Sequence, residues 1–320
     1  MSVDRSNVVI VGIDGSAPSV AAARWAADEA DRRKAELHLL HAYSTPSAAL
    51  PGMAGMGPEV RSTVRAHGGE ILDRARVAAL AAHPGLAVTT TLTHGLPVEI
   101  LQRESEHCLA LVLGTAGRHE FTEALLGSVS GRLAGHASCP VVVVRAGVPD
   151  PDAGPAAPGP VVVGLDGTES CERALAFAFE SASLRATELI AVHSWDDTVL
   201  DGFLRIYPLL ADPVEIDEDE RRILAEQLSG WAEQYPDVPV RSVVLRGRPE
   251  ADLISSAASG SQPPALIVVG TRGGGRFTSL VVGSTSHALL ADAPCPVAVV
   301  RAQYTRSTGA RRGGFRAINV

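Results

Sequence analysis

A chain of 320 residues with 46% hydrophobic content is long enough for two ordinary cores, which excludes a mini-scaffold held by disulfides or metal. Its apolar runs stop at about six residues, far short of the roughly 18 that a spanning helix needs, so a membrane protein built of helices is excluded too. The net charge of −8 argues against a surface made to neutralise nucleic-acid phosphates.

Residues 1–7 carry no apolar core for a signal peptide, and the expected address is the cytoplasm. Strands are predicted near residues 8–13, 37–42, 87–92, 109–113 and 141–145, with helices near 18–34, 59–82, 97–106 and 128–136. Ser16 is placed to cap the first helix and Pro18 suits its first turn. The strands read as nearly continuous apolar runs, as expected of a parallel sheet buried on both faces. Between the second strand and second helix, residues 44–58 form a glycine- and proline-laden loop, either a surface loop or the cover of a site.

The pattern then repeats. Val8-Val9-Ile10-Val11-Gly12-Ile13-Asp14-Gly15-Ser16 recurs 152 residues on as Val161-Val162-Val163-Gly164-Leu165-Asp166-Gly167-Thr168. Leu111-Val112-Leu113-Gly114-Thr115 recurs 156 residues on as Ile267-Val268-Val269-Gly270-Thr271, and Cys139-Pro140-Val141 keeps the same spacing in Cys295-Pro296-Val297. Strands of the second copy fall near 161–165, 189–193, 240–245, 266–269 and 297–301. The predicted fold is α/β, two tandem Rossmann-like domains, each a five-stranded parallel sheet with helices on both faces. The domains are placed at 1–146 and 161–302, joined by a Pro/Gly-rich linker at 147–160 and followed by a basic tail at 303–320. That tail reads as a solvated, disordered segment or as a contact for an anionic partner. The loop at 196–219, counterpart of 44–58, is rich in acids. The last strands are apolar and unbroken by charge, so they need a partner strand, from the other half or from another chain.

Some chemistries are ruled out. Lys34 is the only lysine, which excludes a Walker-type phosphate loop and leaves Schiff-base chemistry no suitable position. Cys108, Cys139, Cys171 and Cys295 show no C-x-x-C spacing and read as buried reduced thiols. Gly127-Ser128-Val129-Ser130-Gly131 has valine where a nucleophile elbow needs serine. His41 and His193 stand at the ends of the second strands and read as structural rather than as general bases. Asp14 lacks the carboxylate cluster and the strand-end lysine of a phosphoacceptor.

What remains points to phosphate. Ligands of open parallel sheets bind beyond the carboxyl ends of the strands, and there the chain places Gly12-Ile13-Asp14-Gly15 and Gly164-Leu165-Asp166-Gly167. The fourth strands run into Gly114-x-x-Gly117, nine residues, Gly127-Ser128, and into Gly270-x-x-Gly273, nine residues, Gly283-Ser284. Glycines let backbone N–H groups approach an anion, and a helix N-terminus adds unpaired amides and a positive dipole. Hydroxyls of Ser128, Ser130, Ser284 and Ser286 can donate as well, and Asp14 and Asp166 suit a ribose hydroxyl or a metal-bound water. The competing reading keeps the glycines as turn formers only.

On these motifs both halves resemble the universal stress protein family, in the branch with G-x-x-G, nine residues, G-[ST]. The resemblance implies an adenine nucleotide alpha hydrolase-like fold, binding of ATP with Mg²⁺ held through the phosphates, and dimers through the last strand. By position, Asp14 and Asp166 would contact the ribose, and Ala42 and Ser194 would hold the adenine through backbone groups. Gly114, Gly117, Gly127, Ser128 and Ser130 would line the phosphates in one half, and Gly270, Gly273, Gly283, Ser284 and Ser286 in the other. Gly274-Gly275 with Arg272 and Arg276 suits polyphosphate better than the loop carrying Glu120, so tighter binding is expected in the second half. The expected function is a nucleotide-responsive regulator of stress or dormancy adaptation, at most a slow ATPase, working as an intramolecular pseudo-dimer or a homodimer with an unknown protein partner. The alternative is a nucleotide-free interaction scaffold.

Overall fold

A computed structural model describes residues 7–44, 58–115, 128–145, 159–168, 171–195, 213–258, 263–271 and 283–302. The first half runs β1 (Val8–Gly12), α1 (Ala17–Arg33), β2 (Glu36–Tyr43), α2 (Pro58–Leu80), β3 (Val88–His94), α3 (Pro97–Glu104), β4 (Ala110–Thr115), α4 (Ser128–His136) and β5 (Val141–Arg145). The second runs β6 (Val161–Leu165), α5 (Glu172–Arg185), β7 (Leu189–Trp195), α6 (Pro213–Leu228), α7 (Trp231–Gln234), β8 (Val240–Arg246), α8 (Pro249–Ala258), β9 (Leu266–Thr271), α9 (Ser284–Asp292) and β10 (Val297–Arg301). The basic tail and most of the linker and of the two long loops lie outside the described residues.

Each half is the expected five-stranded parallel sheet, and the two join into one sheet of order β3-β2-β1-β4-β5-β10-β9-β6-β7-β8. Alternation along β1 explains the layering: Val9 and Val11 face a core shared with the alanines of α1 and with Ile71 of α2, while Ile10 faces Leu101 of α3 and Leu133 of α4. α1 begins as its sequence demands, with the Ser16 hydroxyl accepting from Ser19 N at 3.3 Å, and it ends at Lys34, whose positive φ closes the last turn. Its buried face is almost all alanine (Ala22, Ala23, Ala26, Ala27, Ala30), which lets the helix axis lie close to the sheet. The closeness is visible at Gly114, where a Cβ would stand 2.4 Å from the carbonyl of Pro18.

The apolar last strands are central rather than exposed. β5 and β10 run antiparallel, with Ala298 opposite Val142, and the open edges of the sheet are β3 and β8. Two arginines cross this seam in opposite senses: Arg145 donates to the Ala291 carbonyl at 2.5 Å and Arg301 to the His136 carbonyl at 3.0 Å. Each therefore binds a carbonyl near the C-terminus of the other half's last helix, where a cation is favoured.

A second contact joins α1 to α5. Glu29, 1% exposed, accepts from Arg33 Nε and from Arg185 Nη2, both at 2.5 Å, and Arg33 also reaches Glu180 at 2.8 Å. The Arg33 guanidinium lies over Phe177 and that of Arg185 over Trp25. Arg33 and Arg185 are 152 residues apart, as are Trp25 and Phe177, so the two stacks are related by a pseudo-twofold, while Glu29 has Ser181 as its counterpart. Burial opposes the charge on Glu29, and the two arginines overcome it, holding its carboxyl at about 2.

Candidate functional site

In a sheet of this order the chain leaves β1 toward one face and β4 toward the other. α1 packs with the core of Val9 and Val11, and α4 with that of Ile10 and Leu111. The divergence opens a crevice at the carboxyl ends of β1 and β4, and the same holds for β6 and β9. Register places the motifs level with each other there: Gly12 lies beside Leu113, and Gly164 beside Val269.

The Asp-Gly elbows have the same local construction in both halves. Asp14 Oδ1 accepts from Ser16 N at 2.9 Å and from Ser16 Oγ at 2.5 Å. Asp166 Oδ1 accepts from Thr168 N at 3.1 Å and Thr168 Oγ1 at 2.5 Å, and additionally from the Cys171 thiol at 3.0 Å. Both aspartates are exposed, so each carboxylate is oriented by its own turn while facing solvent. Burial alone would raise the Asp14 carboxyl, but the bonds from Ser16 and Ser19 outweigh it and hold the acid below its ordinary value. Gly15 and Gly167 carry φ of +85° and +78°, a conformation open to glycine at little cost.

The histidines behind the elbows are held by backbone. His41 Nδ1 lies 2.6 Å from the Ile13 carbonyl oxygen and His193 Nδ1 lies 3.0 Å from that of Leu165. His193 is further bound through Nε2 to Glu220 at 2.7 Å.

The remaining positions separate. Gly114 is demanded by α1, whose backbone a Cβ would strike, whereas at Gly12 the nearest atom, 2.7 Å from its ideal Cβ, is the tip of the Leu113 side chain, which can move aside. Gly283 is different, because nothing lies within 4 Å of a Cβ there. It stands at the N-cap of α9 with no side-chain cap, and its carbonyl accepts the His287 N–H at 2.9 Å. The first N–H groups of α9 have no partner inside the helix by geometry. Ser284 is exposed at this mouth, whereas Ser130 and Ser286 are buried at 3%. Gly270 lies in β9, one residue before its end. Ala42 and Ser194 lie near the ends of β2 and β7, and Ser194 Oγ donates to Asp252 Oδ2 at 2.5 Å. Gly117, Gly127, Arg272, Gly273 and the Ser128 side chain lie outside the described residues.

Three polar residues of the second half escape motif reading: Cys171, Glu220 and Asp252. Their signal lies in the repeat itself, since 152 residues earlier stand Ser19, Gly68 and Ile100. All four cysteines are buried and none is in a disulfide, with Cys108 and Cys139 in sulfur contact at 3.4 Å. Among the described residues no three His, Cys, Asp or Glu side chains gather as a metal site, and no helix is long and apolar enough to cross a membrane.

The sequence profile of the universal stress protein family matches residues 6–145 and again 159–301. The chain belongs to the universal stress protein family. Among its relatives, universal stress protein Rv2005c of Mycobacterium tuberculosis is 37% identical over 304 residues, covering 93% of this chain and 98% of the relative. Universal stress protein Rv2623 of the same organism is 36% identical over 305 residues, covering 93% and 97%. The crystal structure of a universal stress protein from Archaeoglobus fulgidus superposes with a TM-score of 0.66 at 21% identity, over 93% of this chain and 99% of that one. That likeness establishes the fold. Membership in the universal stress protein family supports a role in stress response.

Proposed function

We propose that the chain is a cytoplasmic, adenine-nucleotide-responsive regulator that binds Mg-ATP at the two crevices, the second half more tightly. The observation that carries this reading is the second-half mouth, where the oriented carboxylate of Asp166 and the glycine-headed N-terminus of α9 flank neighbouring strands. A carboxylate there suits ribose hydroxyls or magnesium-bound water, and unpaired helix amides suit phosphate. Mg²⁺ would be held through the phosphates, with Asp166 and Ser284 as the groups of this chain suited to its bound water. At most weak hydrolysis is expected of a phosphate cradle without a dedicated base: His193 is engaged at both ring nitrogens, by the Leu165 carbonyl and by Glu220, and His41 meets the Ile13 carbonyl through Nδ1. Nucleotide would order the glycine loops and alter the surface offered to a protein partner. The β5 to β10 pairing supports an intramolecular pseudo-dimer as the working unit.

The test is mass spectrometry of small molecules released on denaturing the purified protein, followed by calorimetric titration with Mg-ATP. Gly283→Glu places a carboxylate at the α9 N-terminus where there is space for it. It is expected to leave folding intact and to weaken ATP at the second site by about tenfold or more through charge repulsion. Absence of ATP binding at millimolar concentration in the unaltered protein refutes the proposal.

A further inference from the structure

The two halves present different surfaces at the ends of β2 and β7. In the first half Ala42 packs against the apolar cluster that contains Ile100, which is 6% exposed and whose Cδ1 lies 3.0 Å from the ideal Cβ of Gly95. In the second half the equivalents are Ser194, Asp252 and Gly247. The Ser194 hydroxyl donates to Asp252 Oδ2 at 2.5 Å and lies 3.4 Å from the Gly247 carbonyl oxygen. Gly247 makes room for the carboxylate, because a Cβ there would stand 2.9 Å from Oδ2 and 3.0 Å from Oδ1. An acid has thus been built into a polar cradle at a place where the other copy is apolar.

Topology says what part of a nucleotide would meet it. The order β9-β6-β7 puts the α9 mouth, the Asp166 elbow and Ser194 on three successive strand ends, about 4.8 Å apart each. With phosphates beyond β9 and sugar beside Asp166, the base falls two strand spacings away, about 10 Å, beyond the end of β7. A carboxylate is an acceptor only. It accepts from the exocyclic amine of a 6-aminopurine and repels the carbonyl oxygen of a 6-oxopurine.

We infer that Asp252, held by Ser194, is a specificity-determining residue of the second half: it selects a 6-aminopurine nucleotide over its 6-oxo counterpart, while the first half, with Ile100, does not. This rests on the nucleotide reading above. Inosine triphosphate exchanges the amine for a carbonyl oxygen and turns N1 from an acceptor into an N–H donor; purine riboside triphosphate, which lacks the amine and keeps N1 as an acceptor, is the second comparison and isolates the amine.

The full chain is titrated calorimetrically with each nucleotide in magnesium, as the unaltered protein and as Asp252→Asn and Asp252→Ile. A hydrogen bond to a charged group predicts that the second site prefers ATP by about tenfold or more. Asp252→Asn keeps the volume and the Ser194 contact, and its amide can donate to the 6-oxo group, so the preference should fall to about threefold or less. Asp252→Ile, which copies the first half, should remove it, and the Asn variant keeps the test decisive if the Ile variant fails to fold. An ATP preference unchanged in Asp252→Asn overturns this inference and leaves the nucleotide reading standing. Failure of the unaltered protein to bind any of the nucleotides overturns both.

Discussion

Removing the charge of Glu29 should expose how the two halves are held together. Its carboxylate is 1% exposed, and the side chains of Arg33 and Arg185 around it are each 5% exposed. The carboxyl sits at about 2 in the fold against an ordinary 4.5, a difference worth about 3 kcal/mol of stability by linkage. Because the folded value is depressed, that stability is fully present above pH 4.5 and is lost as pH falls from there toward 2. Glu29→Gln keeps the shape, leaves Arg33 its bond to Glu180, and leaves Arg185 with the Ser181 carbonyl and the Trp25 ring. A buried pair broken on one side costs about 3–5 kcal/mol, so a loss of about 3 kcal/mol is expected at pH 7. Urea unfolding of both proteins between pH 7 and pH 3 measures it. The gap between them should narrow as pH falls below about 4.5. A loss under about 1 kcal/mol at pH 7, or a gap that stays constant down to pH 3, refutes the reasoning. Replacing Glu29 and Arg185 together by methionine should cost less than Glu29→Gln alone, since no buried charge is left without its partner.

Gly114→Ala drives a Cβ to 2.4 Å from Pro18 backbone atoms, and a loss of about 1–3 kcal/mol in thermal or urea unfolding is expected as α1 is pushed off the sheet. Gly167→Ala should cost about 1–2 kcal/mol through its φ of +78°, while Gly283→Ser, in open space at an N-cap, should be neutral or slightly stabilising. Arg301→Ala removes the bond to the His136 carbonyl across the seam and should lower stability by about 1–2 kcal/mol in the same assay. Burial holds the Cys171 and Cys295 thiols at about 12, with the Asp166 carboxylate adding to the effect at Cys171. Native protein at pH 8 should therefore leave its thiols unreacted with a disulfide reagent, and denaturant should release four.

The fold was legible because the strands are buried on both sides and the chain states its plan twice. Runs such as Val141-Val142-Val143-Val144 admit one reading in a layered α/β protein, and the repeat of Asp14-Gly15 in Asp166-Gly167 fixed where the elbows fall. The apolar last strands demanded a partner, but their sequence could not distinguish the other half from another chain. Register and the crossing arginines supply that pairing. The site was legible only in outline. Sequence treats Gly12, Gly114 and Gly283 alike, because the reason for a glycine is often a neighbour distant along the chain: Leu113 and Leu101 crowd the first, the backbone of Pro18 and Ser19 the second, and nothing the third. Asp252 escapes motif reading for the same reason, since its chemistry arises from Ser194, 58 residues away.

The duplication gives each half a control for the other. Several positions that bind the halves together keep their chemistry across the repeat, Arg33 with Arg185, Trp25 with Phe177 and Arg145 with Arg301, although Glu29 itself has Ser181 as its counterpart. At the strand ends the elbows keep theirs, Asp14 with Asp166 and Gly15 with Gly167, while three neighbouring positions do not: Gly68 stands opposite His41 where Glu220 binds His193, Ser19 corresponds to Cys171, and Ile100 to Asp252. Two of these exchanges bring a carboxylate close to a strand end where the first half has glycine or hydrocarbon, and the third trades a hydroxyl for a less polar thiol. Both carboxylates are already engaged, Glu220 with His193 and Asp252 with Ser194, so the halves differ in the charge placed behind the strand ends while the elbows themselves stay alike.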